Sequence, residues 1–477
     1  MKKYFLPVVI IFLAFLLFSY RITKVPPGIN GDEASIGYNS ILVSRTLRVE
    51  AGNRLPLFIP TFNPPDWKQP VTFYATAIAF KLFGPAYSLL RGVSIFFALL
   101  SMFLIFLVTS ELLGLAAGAV SMILFALTPI VLIQSHLALE NIAPVPFVLL
   151  WIFMLLKFIK SKNPKYAVFA GAALGAGIFS YNGMRLIVPV LGLLTFLYLK
   201  KPRAIFAFIL GALPFLLLLL WANGHYPGAV LGNNRPFWTG SYQQFFLPYI
   251  SSFDPSFLFL KGDATAYHST GTTGMFLLAT LPLFILGIVK AVKEKNSIYR
   301  FFLVCFFLSP ILYGFVGESY RASRLLAIIP FYVLISTLGA TYLMVIKGKA
   351  KKALAVAGAF LLITVNYVNF AKDYWYSYPE RVKKAFSSPL HSVFEVLNEK
   401  HNQGYRIYAL ADIAGGGEDI KFFRALYPFD LTKWSKGEEI LPKSALLTYP
   451  ELLSSKEKDT LKEIYSNDFS QSIFLKE

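Results

Sequence analysis

The chain has 477 residues, 56% hydrophobic and only 15% charged, with a formal net charge of +19. Soluble domains carry about 25% charged residues, so composition excludes one large soluble core and indicates a polytopic membrane protein. Lys and Arg collect in short turns between apolar runs, which explains much of the charge by the positive-inside rule and leaves no call for nucleic acid as partner. Part of that charge can also meet anionic lipid or a phosphate. The lone Cys305 permits no internal disulfide.

Met1-Lys2-Lys3 precedes an apolar run over 4–20. The run is long for a signal peptide, and Tyr20-Arg21-Ile22 offers no small-residue cleavage site. It reads as an uncleaved first span. A polar region over 21–70 follows, opening with Gly28-Ile29-Asn30-Gly31-Asp32-Glu33-Ala34. Two adjacent carboxylates just outside a span point to binding, pairing or chemistry. A helix is predicted over 33–48, with Ile36, Tyr38, Ile41, Leu42 and Leu47 on and near one face. Asp32 is a favoured residue type for its N-cap. Residues 71–83 are apolar but too short to cross, which suggests an interfacial or re-entrant helix ended by Gly84-Pro85.

Further spans are predicted near 88–109, 115–133, 142–160, 166–181, 185–200, 204–221, 273–291, 300–316, 325–346 and 353–371. With the first, that makes about 11. If the N-terminus is cytoplasmic, the cytoplasmic turns are 110–114, 161–165, 201–203, 292–299 and 347–352, and all but the turn at Glu111 hold or adjoin basic clusters. The opposite turns near 135–141 and 182–184 are nearly uncharged. The asymmetry predicts a cytoplasmic N-terminus, with the first loop (21–87), a long loop (222–272) and everything after 372 outside. The tail is far more polar. It reads as helix (380–400), strand (406–410), helix (419–426), strand (445–449), helix (450–464) and strand (472–475). The expected architecture is therefore an all-α polytopic membrane domain over 1–371, with interfacial helices, and a small extracytoplasmic α/β domain over 372–477.

The out-of-place polar groups all fall on the predicted outer face. They are Asp32 and Glu33; Lys68 in Trp67-Lys68-Gln69-Pro70; Glu140-Asn141; Tyr181-Asn182 with Arg185; Asp263 and His268; and Arg321 with Arg324. A carboxylate there can take a proton from an acceptor hydroxyl. Lys68 and the arginines can bind a phosphate and stabilise a leaving group. Each has a plainer role too. Lys68 can snorkel, the arginines can meet lipid headgroups, and Glu140 can pair with one of them. His268 has no neighbouring ligands at metal-site spacing. Trp67, Tyr74, Phe237, Trp238 and Tyr242 can stack on a sugar or anchor at the interface.

In order and spacing these elements resemble the GT-C glycosyltransferases. The nearest likeness is to the protein O-mannosyltransferase and lipid A aminoarabinose transferase superfamily (glycosyltransferase family 39-like), over 20–200 above all. Asp32-Glu33-Ala34 is similar to the acidic pair after the first span. Lys68-Gln69-Pro70 with Tyr74 resembles a Lys-Pro-Pro element and its Tyr. Arg91 with Ser94, Leu127-Thr128-Pro129 with Leu139-Glu140-Asn141, Ser180-Tyr181 with Arg185 and Pro189, and the stretch 257–270 follow in the family's order. The resemblance implies inverting transfer of a sugar from a polyprenyl-phosphate donor to a protein, lipid or glycan acceptor outside the membrane. Asp32 would be the base, with Glu33 beside it, and Lys68 would hold the donor phosphate, with Arg185, Arg321 and Arg324 as further cations. Glu140, Tyr74, Tyr181 and His268 would support the site. A divalent cation is the one open cofactor. Gln69 replaces the first Pro of the element, and Glu140 stands where many members have Asp. The alternative is a lipid-linked glycan flippase, which favours mid-membrane charges and internal repeats.

Overall fold

The computed structural model describes residues 2–62, 65–230, 241–387, 390–427, 429–467 and 471–477. Among them six helical segments are long and apolar enough to cross a bilayer: Tyr87–Leu113, Glu140–Ser161, Pro202–His225, Ser297–Val316, Leu326–Val345 and Lys349–Phe386. Leu115–Ala126 and Pro129–Ser135 make a seventh if taken as one span bent by 63°. The bend falls at Leu127-Thr128-Pro129, where Pro129 starts the second helix because its ring suits the first helical turn. Helices occupy every run read as a span. Several are short: Pro164–Gly177, Met184–Thr195 and Leu281–Lys293 have 14, 12 and 13 residues. The expected count of about 11 therefore exceeds the segments that reach spanning length.

The chain condenses into two compact units. One comprises Met1–Ile22, Leu57–Thr72 and Arg91–Tyr378; the other comprises Thr23–Pro56, Phe73–Leu90 and Pro379–Glu477. The second unit thus joins the polar tail to two stretches of the first loop, a grouping that a single boundary at 371/372 does not describe.

In the first unit, helices Pro164–Gly177 and Pro202–His225 approach backbone to backbone. A Cβ on Gly171 would lie 2.0 Å from the Phe208 carbonyl oxygen, and one on Gly211 would lie 1.9 Å from that of Val168. Only glycine permits this, the usual device of membrane helix pairs. Buried polar side chains fix the helix ends. Arg91 donates to the Ile22 carbonyl at 2.9 Å, Ser94 to Leu137 at 2.6 Å, and a His136 ring nitrogen lies 2.7 Å from the Phe18 carbonyl oxygen. A two-stranded hairpin, β1 (Ile59–Thr61) and β2 (Asp66–Lys68), pairs Ile59 with Lys68. It sets Lys68 two residues before the helix Pro70–Phe83.

In the second unit, the tail builds a five-stranded sheet. Its strands are β3 (Arg406–Leu410), β4 (Leu431–Trp434), β5 (Ser444–Thr448), β6 (Lys462–Ser466) and β7 (Ser472–Lys476), in the order β4-β3-β5-β7-β6. β3 runs parallel to both its neighbours, while β7 is antiparallel to β5 and β6. All five residues of central β5 are buried. Two expectations are corrected. The helix expected over 450–464 is broken into a 3-10 turn, Pro450–Leu452, and a short α-helix, Ser455–Thr460, and 462–466 form β6. The Ser454–Glu457 capping box starts the helix late, and Ile464 and Tyr465 suit the strand that pairs with β7. Strand β4 was not anticipated, because Leu431-Thr432-Lys433-Trp434 is too short and polar for its alternation to stand out.

The helix Gly31–Thr46 packs on the tail helix Glu418–Leu426 within this unit. Gly37 makes room for Phe422: a Cβ there would sit 2.6 Å from the buried ring. Lys421 bridges the seam, 2.7 Å from Glu50 and 2.8 Å from Glu418.

Candidate active site

The acidic pair divides its labour. Helix Gly31–Thr46 is capped by Asn30, not by Asp32: the Asn30 side chain accepts the Glu33 N–H at 2.9 Å. Glu33 reaches back to the Asn30 N–H at 3.4 Å, completing a capping box, and is fully buried. Asp32 lies in the first turn with its side chain exposed, where the helix dipole favours a carboxylate. Of the two, Asp32 is the exposed one. Tyr74, half-buried in the same unit, donates to the Pro56 carbonyl at 2.6 Å.

The first unit gathers the other half of the predicted set. Lys68 is buried, 2.6 Å from Asp66, with its ammonium 5.3 Å from the centre of the Phe62 ring. It is held by pairing rather than by snorkelling. Gln69, fully buried, is the hub beside it. Its backbone N–H donates to Glu140, and its side-chain oxygen accepts from Arg185 at 2.6 Å. Arg185 also donates to Asn182 at 2.5 Å and to the Ala229 and Val230 carbonyls at 2.7 Å each, with its guanidinium 5.0 Å from the Phe58 ring centre. Glu140 and Arg185 are thus linked through Gln69. Among the described residues, the buried Arg185 Nε–H and Trp67 indole N–H have no hydrogen-bond partner.

A second branch starts one residue after Glu140. Asn141 donates to Gln134 at 3.1 Å, and Gln134 lies 2.9 Å from Nδ1 of His268. Gln134 was not singled out from the sequence; it reads as one polar residue in an apolar run, and only the bend at Pro129 turns it towards the loop. Asp263 fastens the loop that carries His268. It accepts from Thr265 and from the Ser323 N–H at 3.3 Å, and the Ala264 N–H meets the Tyr320 carbonyl. Arg321 and Arg324 share one carboxylate, Glu318, at 3.6 and 2.8 Å, as ion pairs without hydrogen-bond geometry at Arg324. Tyr181 lies half-buried at the turn before Met184. Tyr242 is 74% exposed, as an interfacial anchor would be; Phe237 and Trp238 lie outside the described residues. Among the described residues, no group of three or more His, Cys, Asp and Glu could hold a metal ion.

Residues 64–221 match the family model for dolichyl-phosphate-mannose-protein mannosyltransferase. No curated protein matches the sequence. The whole chain superposes on ArnT from Cupriavidus metallidurans bound to undecaprenyl phosphate, with a TM-score of 0.57 and 11% identity, covering 98% of this chain and 97% of that one. The apo form of ArnT gives 0.58 over the same shares, at 11% identity. The chain carries the GT-C fold. The matched segment 64–221 holds Lys68, Gln69, Glu140 and Arg185, so the hub lies in the part of the GT-C scaffold that the family model covers. At 11% identity the likeness to ArnT is one of fold.

Proposed function

We propose that the chain is an integral membrane glycosyltransferase. It moves a sugar from a polyprenyl-phosphate donor to a protein, lipid or glycan acceptor on the extracytoplasmic face, with inversion. The observation that carries this reading is the hub formed by buried Gln69 with half-buried Glu140 and Arg185, next to Lys68, inside the segment that matches a mannosyltransferase family. The undecaprenyl phosphate bound to ArnT supports a lipid-phosphate donor.

In this reading the acceptor oxygen attacks the anomeric carbon as the bond to the donor phosphate breaks. Asp32 takes the hydroxyl proton, for which an exposed carboxylate in a first turn is suited. Lys68 stabilises the charge growing on the departing phosphate, and the orphan donors of Arg185 and Trp67 add to the local demand for an anion. Glu140 and Gln69 hold Arg185 in place. Arg321 and Arg324, each paired with Glu318, and His268, held by Gln134, are supporting groups. A single displacement gives inversion. The N-terminus is cytoplasmic, and the tail domain lies outside with the site. The matching family is one of transferases, so the flippase alternative is set aside.

The test is incubation of the purified protein with a panel of polyprenyl-phosphate sugars and candidate acceptors, followed by mass spectrometry. Donor-dependent product supports the reading; release of no sugar from any donor, with the protein folded, overturns it. Alkaline phosphatase fused after Glu477 should be active; an inactive fusion with an active cytoplasmic reporter would sink the topology.

A further inference from the structure

A cavity of about 910 Å³ opens in the first unit, lined by residues from both sides of the turns 161–165 and 199–203 and from the start of helix Ser297–Leu308. Its lining holds five cations, Lys162, Lys200, Lys201, Arg203 and Arg300, and no carboxylate. Apolar side chains, among them Phe158, Leu197, Ala204, Phe301 and Val304, line it too. None of the predicted site residues lines it.

All five cations are exposed, as positive-inside charge would have them, but they gather round one cavity rather than standing in separate turns. Two further facts bear on them. Neighbouring basic groups are neutralised, since Lys157 and Lys160 lie 2.7 and 2.8 Å from Glu111; among the described residues the five lining cations make no ion pair. Lys162 also occupies a left-handed position, φ 56°, at the end of helix Pro144–Ser161. Glycine is the residue that suits this geometry, so the lysine stands there against backbone preference.

We infer that this cavity binds a phosphate ester, and specifically the headgroup of an anionic phospholipid. The cations would meet the phosphate as point charges and forks, and the apolar lining residues would take the start of an acyl chain. A free phosphate would use only the cations and leave the apolar lining wet, which is why the lipid is the better match. The site stands apart from sugar transfer and does not depend on that reading.

The experiment is native mass spectrometry of the full chain released from nanodiscs of mixed phosphatidylglycerol and phosphatidylcholine. The wild type should retain phosphatidylglycerol in preference. The triple variant Lys200→Gln, Lys201→Gln, Arg300→Gln should lose that retention by roughly tenfold or more, since each cation near an anionic surface matters appreciably. Lys162→Gly, which relieves the backbone, should keep or raise thermal stability while lowering retention. Val304→Trp should crowd out the chain and lower lipid retention. Equal retention of the two lipids by the wild type would overturn the inference, as would full retention by the folded triple variant. Displacement of the lipid by inorganic phosphate at similar concentration would overturn the lipid as occupant.

Discussion

The side-chain oxygen of Gln69 and the guanidinium of Arg185 meet at 2.6 Å, while the Gln69 backbone N–H is spent on Glu140. One residue therefore serves a cation and a carboxylate at once. The proline of the resembling element could do neither, having no N–H and no side-chain oxygen. Gln69→Leu should leave Arg185 short of an acceptor and cost about 1.5–3 kcal/mol, the range for a hydrogen bond to a charged group. It should lower transfer as well. Thermal unfolding in detergent and a donor-dependent transfer assay check this; wild-type values in both would dissolve the hub's supporting role.

Asp32 and Glu33 should separate cleanly. Asp32→Asn removes an exposed carboxylate and should abolish transfer, with stability within about 0.5 kcal/mol of wild type. Glu33→Ala removes half of a buried capping box and should destabilise the unit by about 1 kcal/mol. Paired melting and activity measurements on the two variants decide it. Near-normal transfer by Asp32→Asn would remove it as base.

Gly37 and Phe422 form a steric pair. Gly37→Val should force the 2.6 Å approach apart and cost about 1–3 kcal/mol, as overpacking does. Phe422→Leu in the same chain should recover part of that loss. A double-mutant cycle on unfolding free energies measures the coupling, and simple additivity would mean the two positions do not press on each other.

Lys421 predicts an alkaline limit to the same seam. Burial lowers its pKa, but hydrogen bonds and attraction from Glu418 and Glu50 outweigh burial and raise it above the ordinary lysine value. A group whose folded pKa is raised contributes stability fully below its unfolded value, about 10.4, and loses it as pH climbs through the folded value. The stability difference between wild type and Lys421→Met should therefore hold constant from neutral pH to about 9 and shrink above the unfolded value. A difference that shrinks on acidification over pH 6–8 instead would assign the effect to another group.

The apolar runs were legible because period and hydropathy speak through every residue of a long helix. The helix carrying Asp32 was legible too, but its cap was not. Asn30 and Asp32 are both good N-caps, and only the reciprocal bond to Glu33 chooses between them. The α/β character of the tail could be read from β3, β5 and β7, whose buried runs are apolar. The fate of 450–464 could not, since Lys462-Glu463 favours helix locally and yields to pairing with β7. Lys68 and Glu140 were picked out by chemistry alone. Gln134 was hidden, because a lone amide in an apolar run acquires meaning only from the bend at Pro129 and from His268 opposite it.

The pairing of helix Gly31–Thr46 with helix Glu418–Leu426 imposes an order of events on biosynthesis. The ribosome makes the acidic helix long before its packing partner. Until the tail emerges, the face of that helix that carries Gly37 has nothing from Phe422 to meet. A chain cut short before the tail would still carry its apolar segments but would leave Asp32 on a helix without its packing partner.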